Sequence, residues 1–145
     1  RLVSEIVARG FTVSTVKHAH HSFDVDHEGR DSYRHREAGA REVLLSSGNR
    51  WALMHELRGA PEVPLADLLT KLTPVDLVLV EGFKAEGHSK IECHRAATGK
   101  DILAKTDASI VALASDTQVD LAQPVFDLND TAAIADFVLE QVGLK

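Results

Sequence analysis

The stretch VDLVLVEGF, residues 75–83, limits the possible folds of this chain more than any other part of the sequence. Its apolar residues form a nearly continuous run, which stops abruptly at Glu81 and Gly82. A strand that is apolar on both faces is normally buried between helices in a parallel sheet. The stretch SIVALAS, residues 109–115, has the same character and ends at Asp116. Two such strands predict an α/β protein with a mostly parallel sheet.

Other strand and helix patterns alternate along the chain. Further strands are predicted over residues 11–17, 42–47, 50–57 and 91–95. Helices are predicted from a cap at Asp31 or Ser32 to Gly39, over residues 65–72, and from a cap at Asn129 or Asp130. The buried face of the last helix should contain Ile134, Phe137, Val138 and Val142. We therefore predict a three-layer α/β sandwich that forms a single domain over residues 1–145.

The first ten residues, RLVSEIVARG, have the pattern of the second half of an amphipathic helix. Apolar residues at positions 2, 3, 6 and 7 should share one face of this helix. Gly10 is the expected helix-ending glycine, whereas no capping residue precedes Arg1. We therefore expect that the numbered chain begins inside a helix and that a further segment normally precedes it.

Composition excludes several classes of function. The formal net charge of −6 disfavours non-specific binding to nucleic acid. Cys93 is the only cysteine, so an internal disulfide is impossible, which is compatible with a reducing cytoplasm. No apolar run approaches the length that spans a membrane, and we expect no signal peptide. These features predict a cytoplasmic protein that binds neither nucleic acid nor membrane.

Polar residues follow three predicted strands at the points where these strands end. The first strand ends at Lys17, the strand of residues 75–80 at Glu81, and the later buried strand at Asp116. Ligands bind at the carboxyl ends of the strands in open α/β sheets. We therefore expect these three positions to contribute to one crevice.

The junction of Glu81 and Gly82 has the form of a Walker B site. A carboxylate at the end of a buried strand can hold Mg²⁺ directly or through water, and the following glycine lets the backbone approach a phosphate. An acid that merely ends a strand at the surface gives the same pattern. The sequence alone leaves both interpretations open.

Residues 16–40, VKHAHHSFDVDHEGRDSYRHREAGA, form the most polar part of the chain. The segment DHEG, from Asp26 to Gly29, has the D-x-x-G spacing of switch loops in nucleotide triphosphatases, where the aspartate acts through magnesium. Asp31 could serve this site, cap a helix, or do both. The basic residues that follow the histidines should attract phosphate: Arg30, Arg34, Arg36 and Arg41.

The histidines in the same stretch raise the alternative of a transition-metal site. His18, His20 and His21, with Asp24, offer nitrogen and oxygen ligands. No zinc-type spacing or H-E-x-x-H motif occurs, and the neighbouring cations would repel a metal ion. A phosphate-facing loop is therefore the favoured interpretation.

Four stretches carry an unusual combination of motifs: residues 16–40, RWALMHEL, DLVLVEGFK and IECHR. The most specific part of this combination is the occurrence of K-H-x-H-H, D-x-x-G-x-D-S-Y and A-G-A in residues 16–40 together with V-E-G-F-K in residues 80–84. In these motifs the chain resembles the molybdopterin-guanine dinucleotide biosynthesis protein B family, small cytoplasmic GTP-binding proteins of the phosphate-loop class. The resemblance extends over nearly the whole chain, to the segment FDLND.

The resemblance implies an accessory protein for molybdenum cofactor maturation, with a P-loop NTPase-like sheet. Such a protein binds GTP with Mg²⁺, hydrolyses it weakly, forms a homodimer and assists the guanylyltransferase that attaches GMP to molybdopterin. It also implies three sets of site residues. The nucleotide- or phosphate-binding set is Lys17, His18, Gly29, Arg30, Gly82 and Asp116. The metal-binding set is Asp26, Asp31 and Glu81, of which Asp26 and Glu81 are the catalytic pair.

Two positions depart from the pattern that the resemblance implies. The family's Walker A loop, G-x-x-x-x-G-K-[ST], should come immediately before RLVSEIVARG, and we expect it, with the first strand, in a segment that precedes Arg1. Asp116 lies in ASDT rather than in the guanine-reading N-K-x-D.

Two further functions remain open at the level of sequence. One is a small nucleotide-dependent kinase or ligase on the same fold, with His20 or Asp24 as a base. The other is a module that carries a pterin or a metal and needs no nucleotide.

Overall fold

The computed structural model describes residues 1–19 and 23–145. In chain order the elements are α1 (Leu2–Ala8), β1 (Val13–Lys17), α2 (Asp31–Glu37), β2 (Glu42–Ser46), β3 (Trp51–His55), α3 (Leu65–Leu69), β4 (Leu77–Glu81), β5 (Lys90–His94), β6 (Ile110–Ser115), β7 (Val125–Asp127) and α4 (Thr131–Gln141). Two short 3-10 turns, Ala96–Thr98 and Leu103–Lys105, lie between β5 and β6. The chain divides into two compact units, which are described separately.

Unit 1 consists of Arg1–Lys17 and Thr73–Lys145 and contains only parallel strand pairs. Strand β1 pairs with β4 in a register that aligns Val13 with Leu77 and Lys17 with Glu81. The other sheet has the order β5-β6-β7, and its central strand β6 is almost wholly buried. The strand SIVALAS is therefore buried on both faces, as its continuous apolar sequence predicts.

The principal apolar core of unit 1 lies where α1 and α4 meet the β1–β4 pair. Ile6, Leu77, Ala135 and Leu139 form a buried cluster. Arg9 links the two helices at the surface, because its guanidinium donates to Glu5 on α1 and to Asp136 on α4. The amphipathic pattern of both helices thus produces one shared apolar face.

A hydrogen-bonded junction joins the beginnings of β1 and β4. Asp76 Oδ2 accepts hydrogen bonds from the backbone N–H and the hydroxyl of Thr12, each at 2.7 Å. In return, the Asp76 backbone N–H donates to Thr12 Oγ1 at 2.9 Å. These bonds lower the pKa of Asp76, the hydroxyl bond most, because they stabilise the charged carboxylate.

Unit 2, His18–Leu72, contains an antiparallel hairpin and two short helices. Strands β2 and β3 pair with Glu42 opposite His55 and Leu44 opposite Leu53. Helix α2 packs against β2, and Val43 is buried there. Arg58 joins the end of α2 to the turn after β3 by donating to the carbonyl oxygens of Arg36 and Ala40.

The structure confirms the α/β class with mostly parallel sheets and corrects several local predictions. Arg30, not Asp31 or Ser32, occupies the N-cap position of α2, and no side chain caps that helix. Asp130 does cap α4, since its carboxylate accepts from the Ala133 N–H. The predicted helix over residues 65–72 is shorter and ends at Leu69.

The predicted buried faces of two helices are only partly correct. Val142 is exposed beyond the end of α4, and the most buried positions of that helix are Ala135 and Leu139. On α1, Ile6 is buried, whereas Val3 and Val7 are exposed. Periodicity alone predicts that all four apolar residues of α1 share one face. The contacts with α4 and the β1–β4 pair cover only part of that face, so Val3 and Val7 stay exposed.

Within the two described ranges, no helix combines the length and apolarity needed to cross a membrane.

Replacement of Ile6 by alanine should destabilise the protein by roughly 2–5 kcal/mol, because it removes a buried side chain from the cluster between α1 and α4. Val7→Ala on the same helix should change the free energy of unfolding by less than about 0.5 kcal/mol, since Val7 is half exposed. Equilibrium unfolding in urea measures both. An equal decrease in the free energy of unfolding in the two variants would contradict the assignment of Ile6 to the core.

The Thr12–Asp76 junction should make stability depend on acid pH. The pKa of Asp76 is lower in the folded chain than in the unfolded chain. The stabilisation is therefore present above the unfolded pKa and is lost as pH falls below about 4, through the folded pKa. The melting temperature should fall less between pH 7 and pH 3 in Asp76→Asn than in wild type. Asp101→Asn, which changes an exposed aspartate, serves as the control. The same loss in all three proteins would contradict this role.

Candidate functional site

Lys17 and Glu81 meet at the carboxyl ends of two adjacent parallel strands. They are register partners in the β1–β4 pair, and their side chains form an ion pair. Both side chains remain largely exposed, at 65% and 72%. The structure therefore brings a cation and a carboxylate together at the edge of unit 1 where ligands of parallel sheets bind.

The chain turns sharply directly after Glu81. Gly82 has a φ of 88°, and Phe83, which is not a glycine, has a φ of 49°. A bulky residue in the left-handed region is strained, and such strain concentrates at functional sites. The positive φ at position 82 thus favours glycine there.

The end of β6 forms a second polar group in unit 1. Asp116 Oδ1 accepts a hydrogen bond of 2.9 Å from the backbone N–H of Ala96, which begins the first 3-10 turn. Ser115 is buried, and its hydroxyl lies 3.4 Å from His94 Nδ1 and 3.3 Å from the hydroxyl of Thr117. One oxygen of Asp116 is therefore occupied by the chain's own backbone.

Cys93 on β5 has a thiol of raised pKa. Desolvation raises the pKa of the Cys93 thiol most, the carboxylates of Glu92 and Glu81 raise it further, and Arg95 opposes them. A raised thiol pKa keeps Cys93 in its weakly nucleophilic protonated form.

Asp26 is the most buried carboxylate among the predicted site residues of unit 2. Its side chain is 3% exposed, and its Oδ1 lies 3.1 Å from Nη2 of Arg36 on α2. Asp24 Oδ1 lies 2.9 Å from the same nitrogen. The hydrogen bond with Asp26 raises the pKa of Arg36. Arg36, which the sequence suggested as a phosphate contact, is instead surrounded by carboxylates.

The other predicted site residues of unit 2 lie at the surface or in turns. Gly29 has a φ of 84°, and Arg30 precedes the first residue of α2. Asp31 is exposed and lies 3.9 Å from Arg34. His18 Nε2 is 2.8 Å from Glu62 Oε1, so the histidine contacts an acid of the loop before α3.

The metal predictions can be compared with this geometry only in part. Across residues 1–19 and 23–145, no three or more His, Cys, Asp or Glu side chains are grouped so that they could hold a metal ion. His20 and His21, proposed as transition-metal ligands or as a base, lie outside the described residues. Mg²⁺ is usually held by only one or two carboxylates together with phosphate oxygens and water, so it does not require a group of three such side chains.

Sequence reasoning missed the partners of several site residues. The pairs Arg36–Asp26 and His18–Glu62 join residues that are 10 and 44 positions apart. No helical or strand periodicity connects such positions, so the sequence contains no signal for these pairs. By contrast, the pair Lys17–Glu81 follows from the prediction that two parallel strands end at these residues.

Comparison with known proteins gives one consistent family. The sequence profile described as "MobB: Molybdopterin guanine dinucleotide synthesis protein B" matches residues 1–116. The chain is 39% identical over 145 residues to the molybdopterin-guanine dinucleotide biosynthesis adapter protein of Escherichia coli (strain K12), which covers 97% of this chain and 82% of that protein. The adapter protein of the same name from Haemophilus influenzae is 40% identical over 141 residues, covering 95% of this chain and 77% of its own length.

Solved structures agree with this comparison. The MobB protein homolog from Bacillus stearothermophilus is 27% identical, with a TM-score of 0.70 over 99% of this chain and 86% of that chain. A crystal structure of a molybdopterin-guanine biosynthesis protein B gives a TM-score of 0.75 over 97% of this chain and 88% of that chain, at 23% identity. At the latter identity the similarity supports the fold alone.

Proposed function

The chain belongs to the molybdopterin guanine dinucleotide synthesis protein B family, and from this premise we propose that it is a GTP-binding adapter protein in molybdopterin guanine dinucleotide biosynthesis. The pathway and the adapter role come from the names of the curated relatives. The observation that carries the nucleotide-binding part is the meeting of Lys17 and Glu81 at adjacent carboxyl ends of parallel strands. A cation for phosphate and a carboxylate for Mg²⁺ are the groups that a nucleoside triphosphate requires.

In this proposal each predicted site residue has a defined task. Glu81 of unit 1 and, separately, Asp26 and Asp31 of unit 2 would each bind Mg²⁺ as a single carboxylate, completed by water and by phosphate oxygens whose charge the ion neutralises. Lys17, His18 and Arg30 contact phosphate groups, while Gly29 and Gly82 offer backbone amides at close range. Asp116 reads the purine through the oxygen that Ala96 does not occupy.

The activity that we propose is weak hydrolysis of GTP. Glu81 and Asp26 are the proposed catalytic carboxylates, because each would hold a magnesium ion that would stabilise the negative charge on the reacting phosphate. Glu81 is paired with Lys17 at the surface, and the buried Asp26 is paired with Arg36. Slow hydrolysis suits an adapter whose nucleotide regulates assembly rather than supplying a product.

The partners in this proposal are the guanylyltransferase that attaches GMP to molybdopterin, and molybdopterin itself. The relatives' names specify an adapter in this pathway, which requires a protein to which it binds. The net charge of −6 disfavours nucleic acid as a partner. We place the protein in the cytoplasm, where a reduced Cys93 is expected.

We also propose that the protein forms a homodimer through the β2–β3 hairpin. Leu44, Trp51 and Leu53 lie on one face of the hairpin and are exposed, Trp51 by 67%. A two-stranded hairpin is marginally stable by itself, and contiguous exposed apolar residues mark interaction surfaces. A second copy that packs the same face of its own hairpin against this one would cover these apolar side chains.

Titration with GTP tests the nucleotide-binding proposal. Wild type should bind GTP more tightly with Mg²⁺ than with EDTA, and Glu81→Ala and Asp26→Ala should each lose about tenfold or more of the magnesium-dependent affinity, the loss expected from one charge-assisted contact. Glu86→Ala, an exposed acid in the loop after β4, is the matched control. Calorimetry provides the affinities. Wild type without magnesium-dependent binding would refute the function, and unchanged binding in both variants would refute the metal role.

The homodimer can be tested by analytical ultracentrifugation over a range of concentrations. Leu53→Asp places a charge in the middle of the apolar hairpin face and should shift the protein to monomer. Val7→Asp introduces the same charge at an exposed apolar position on α1 and should leave the dimer intact. A monomeric wild type, or a Leu53→Asp variant that dimerises as wild type does, would contradict this interface.

A further inference from the structure

We propose that Arg36 is a positioning residue, which holds Asp26 and the loop from Asp24 to Gly29 in the place where they serve the nucleotide site. The inference rests on the proposed function for the role of Asp26, whereas the contacts of Arg36 with the loop do not depend on any ligand. A single guanidinium on α2 connects two acids of the loop.

The contacts of Arg36 come from several directions. Its Nη2 lies 2.9 Å from Asp24 Oδ1 and 3.1 Å from Asp26 Oδ1, two alternate residues of the loop. Its Nε lies 3.8 Å from Glu56 Oε1, directly after β3. The guanidinium is planar and its five donors have fixed directions, whereas the three donors of a lysine ammonium rotate, so an arginine holds neighbouring acids in a more defined geometry.

The aromatic ring of Tyr33 fixes the guanidinium itself. Arg36 Cζ lies 4.9 Å from the centroid of this ring, within the range of a cation–π interaction. The arginine side chain is only 15% exposed, so solvent screens these contacts incompletely. Tyr33 and Arg36 lie three positions apart on α2, and the helix therefore supplies both groups in a fixed relation.

Two buried atoms remain without a hydrogen-bond partner within the described part of the chain, Asp26 Oδ2 and Arg36 Nε. A buried acceptor without a partner is costly, and such atoms in native proteins mark a water or a ligand contact. Arg36 uses Oδ1 of Asp26 and leaves Oδ2 as the acceptor that can serve another donor. The arginine thus determines which oxygen of Asp26 is available.

This arrangement predicts two effects of Arg36→Gln, which removes the charge and the bridge. Without nucleotide, amide hydrogen exchange in residues 23–30 should become at least about tenfold faster, while the β2–β3 hairpin is unchanged. With nucleotide, the part of the GTP affinity that depends on Mg²⁺ should fall about as far as in Asp26→Ala, and the affinity in EDTA should remain. A merely structural arginine would alter both affinities together.

Three further proteins make the experiment decisive. Arg36→Lys keeps the charge and should give intermediate exchange, because an ammonium cannot bridge both acids in the same geometry. Arg34→Gln on the same helix should behave as wild type, since Arg34 is exposed and lies 3.9 Å from Asp31. In the Asp26→Asn background, Arg36→Gln should accelerate exchange further by much less than in wild type, because the two residues act as one unit.

The outcomes separate this inference from the proposed function. Unchanged exchange of residues 23–30 in Arg36→Gln, or faster exchange spread evenly over residues 23–72, would overturn the positioning role. If wild type shows no magnesium-dependent GTP binding, the proposed function fails, and the exchange measurement alone still decides whether Arg36 holds the loop. Loss of affinity in EDTA as well as with Mg²⁺ would also count against positioning.

Discussion

Parallel pairing between β1 and β4 is the interaction on which the candidate site depends. The register places Thr12 beside Asp76 where the strands begin and Lys17 beside Glu81 where they end. The first pair is hydrogen bonded in both directions, which prevents the strands from slipping. A shift by one residue would turn each side chain to the opposite face of the sheet and separate the Lys17–Glu81 pair.

The core of unit 1 stabilises this pairing from one side. Leu77 belongs to β4 and packs with Ile6, Ala135 and Leu139, so α1 and α4 hold the strand whose end carries Glu81. The site residues themselves add little to this stability, because exposed ion pairs contribute little free energy. Packing and the candidate function therefore occupy different ends of the same strand, and Glu81 and Lys17 remain available to a ligand.

Unit 2 places its acids by a different principle. Asp24 and Asp26 lie in a loop without regular structure, and a buried arginine from α2 connects them. The loop before α2 and the apolar hairpin face belong to the same unit, so unit 2 contains both the proposed site residues Asp26 and Asp31 and the proposed dimer surface. In unit 1, strand register positions charge, whereas in unit 2 a single guanidinium does so.

The sequence by itself determined the α/β class, both apolar strands, the Glu81–Gly82 junction and the family. These features are local: a continuous apolar run, a glycine with positive φ, and a specific combination of motifs. The sequence pattern wrongly predicted that Val142 is buried. Periodicity shows an apolar stripe on a helix but not how much of that stripe the neighbouring elements cover. Only the tertiary structure showed that Arg36 contacts Asp26 and that His18 contacts Glu62. No regular spacing connects the residues of these pairs, and the free energy that selects them depends on burial and distance, which a sequence pattern does not contain.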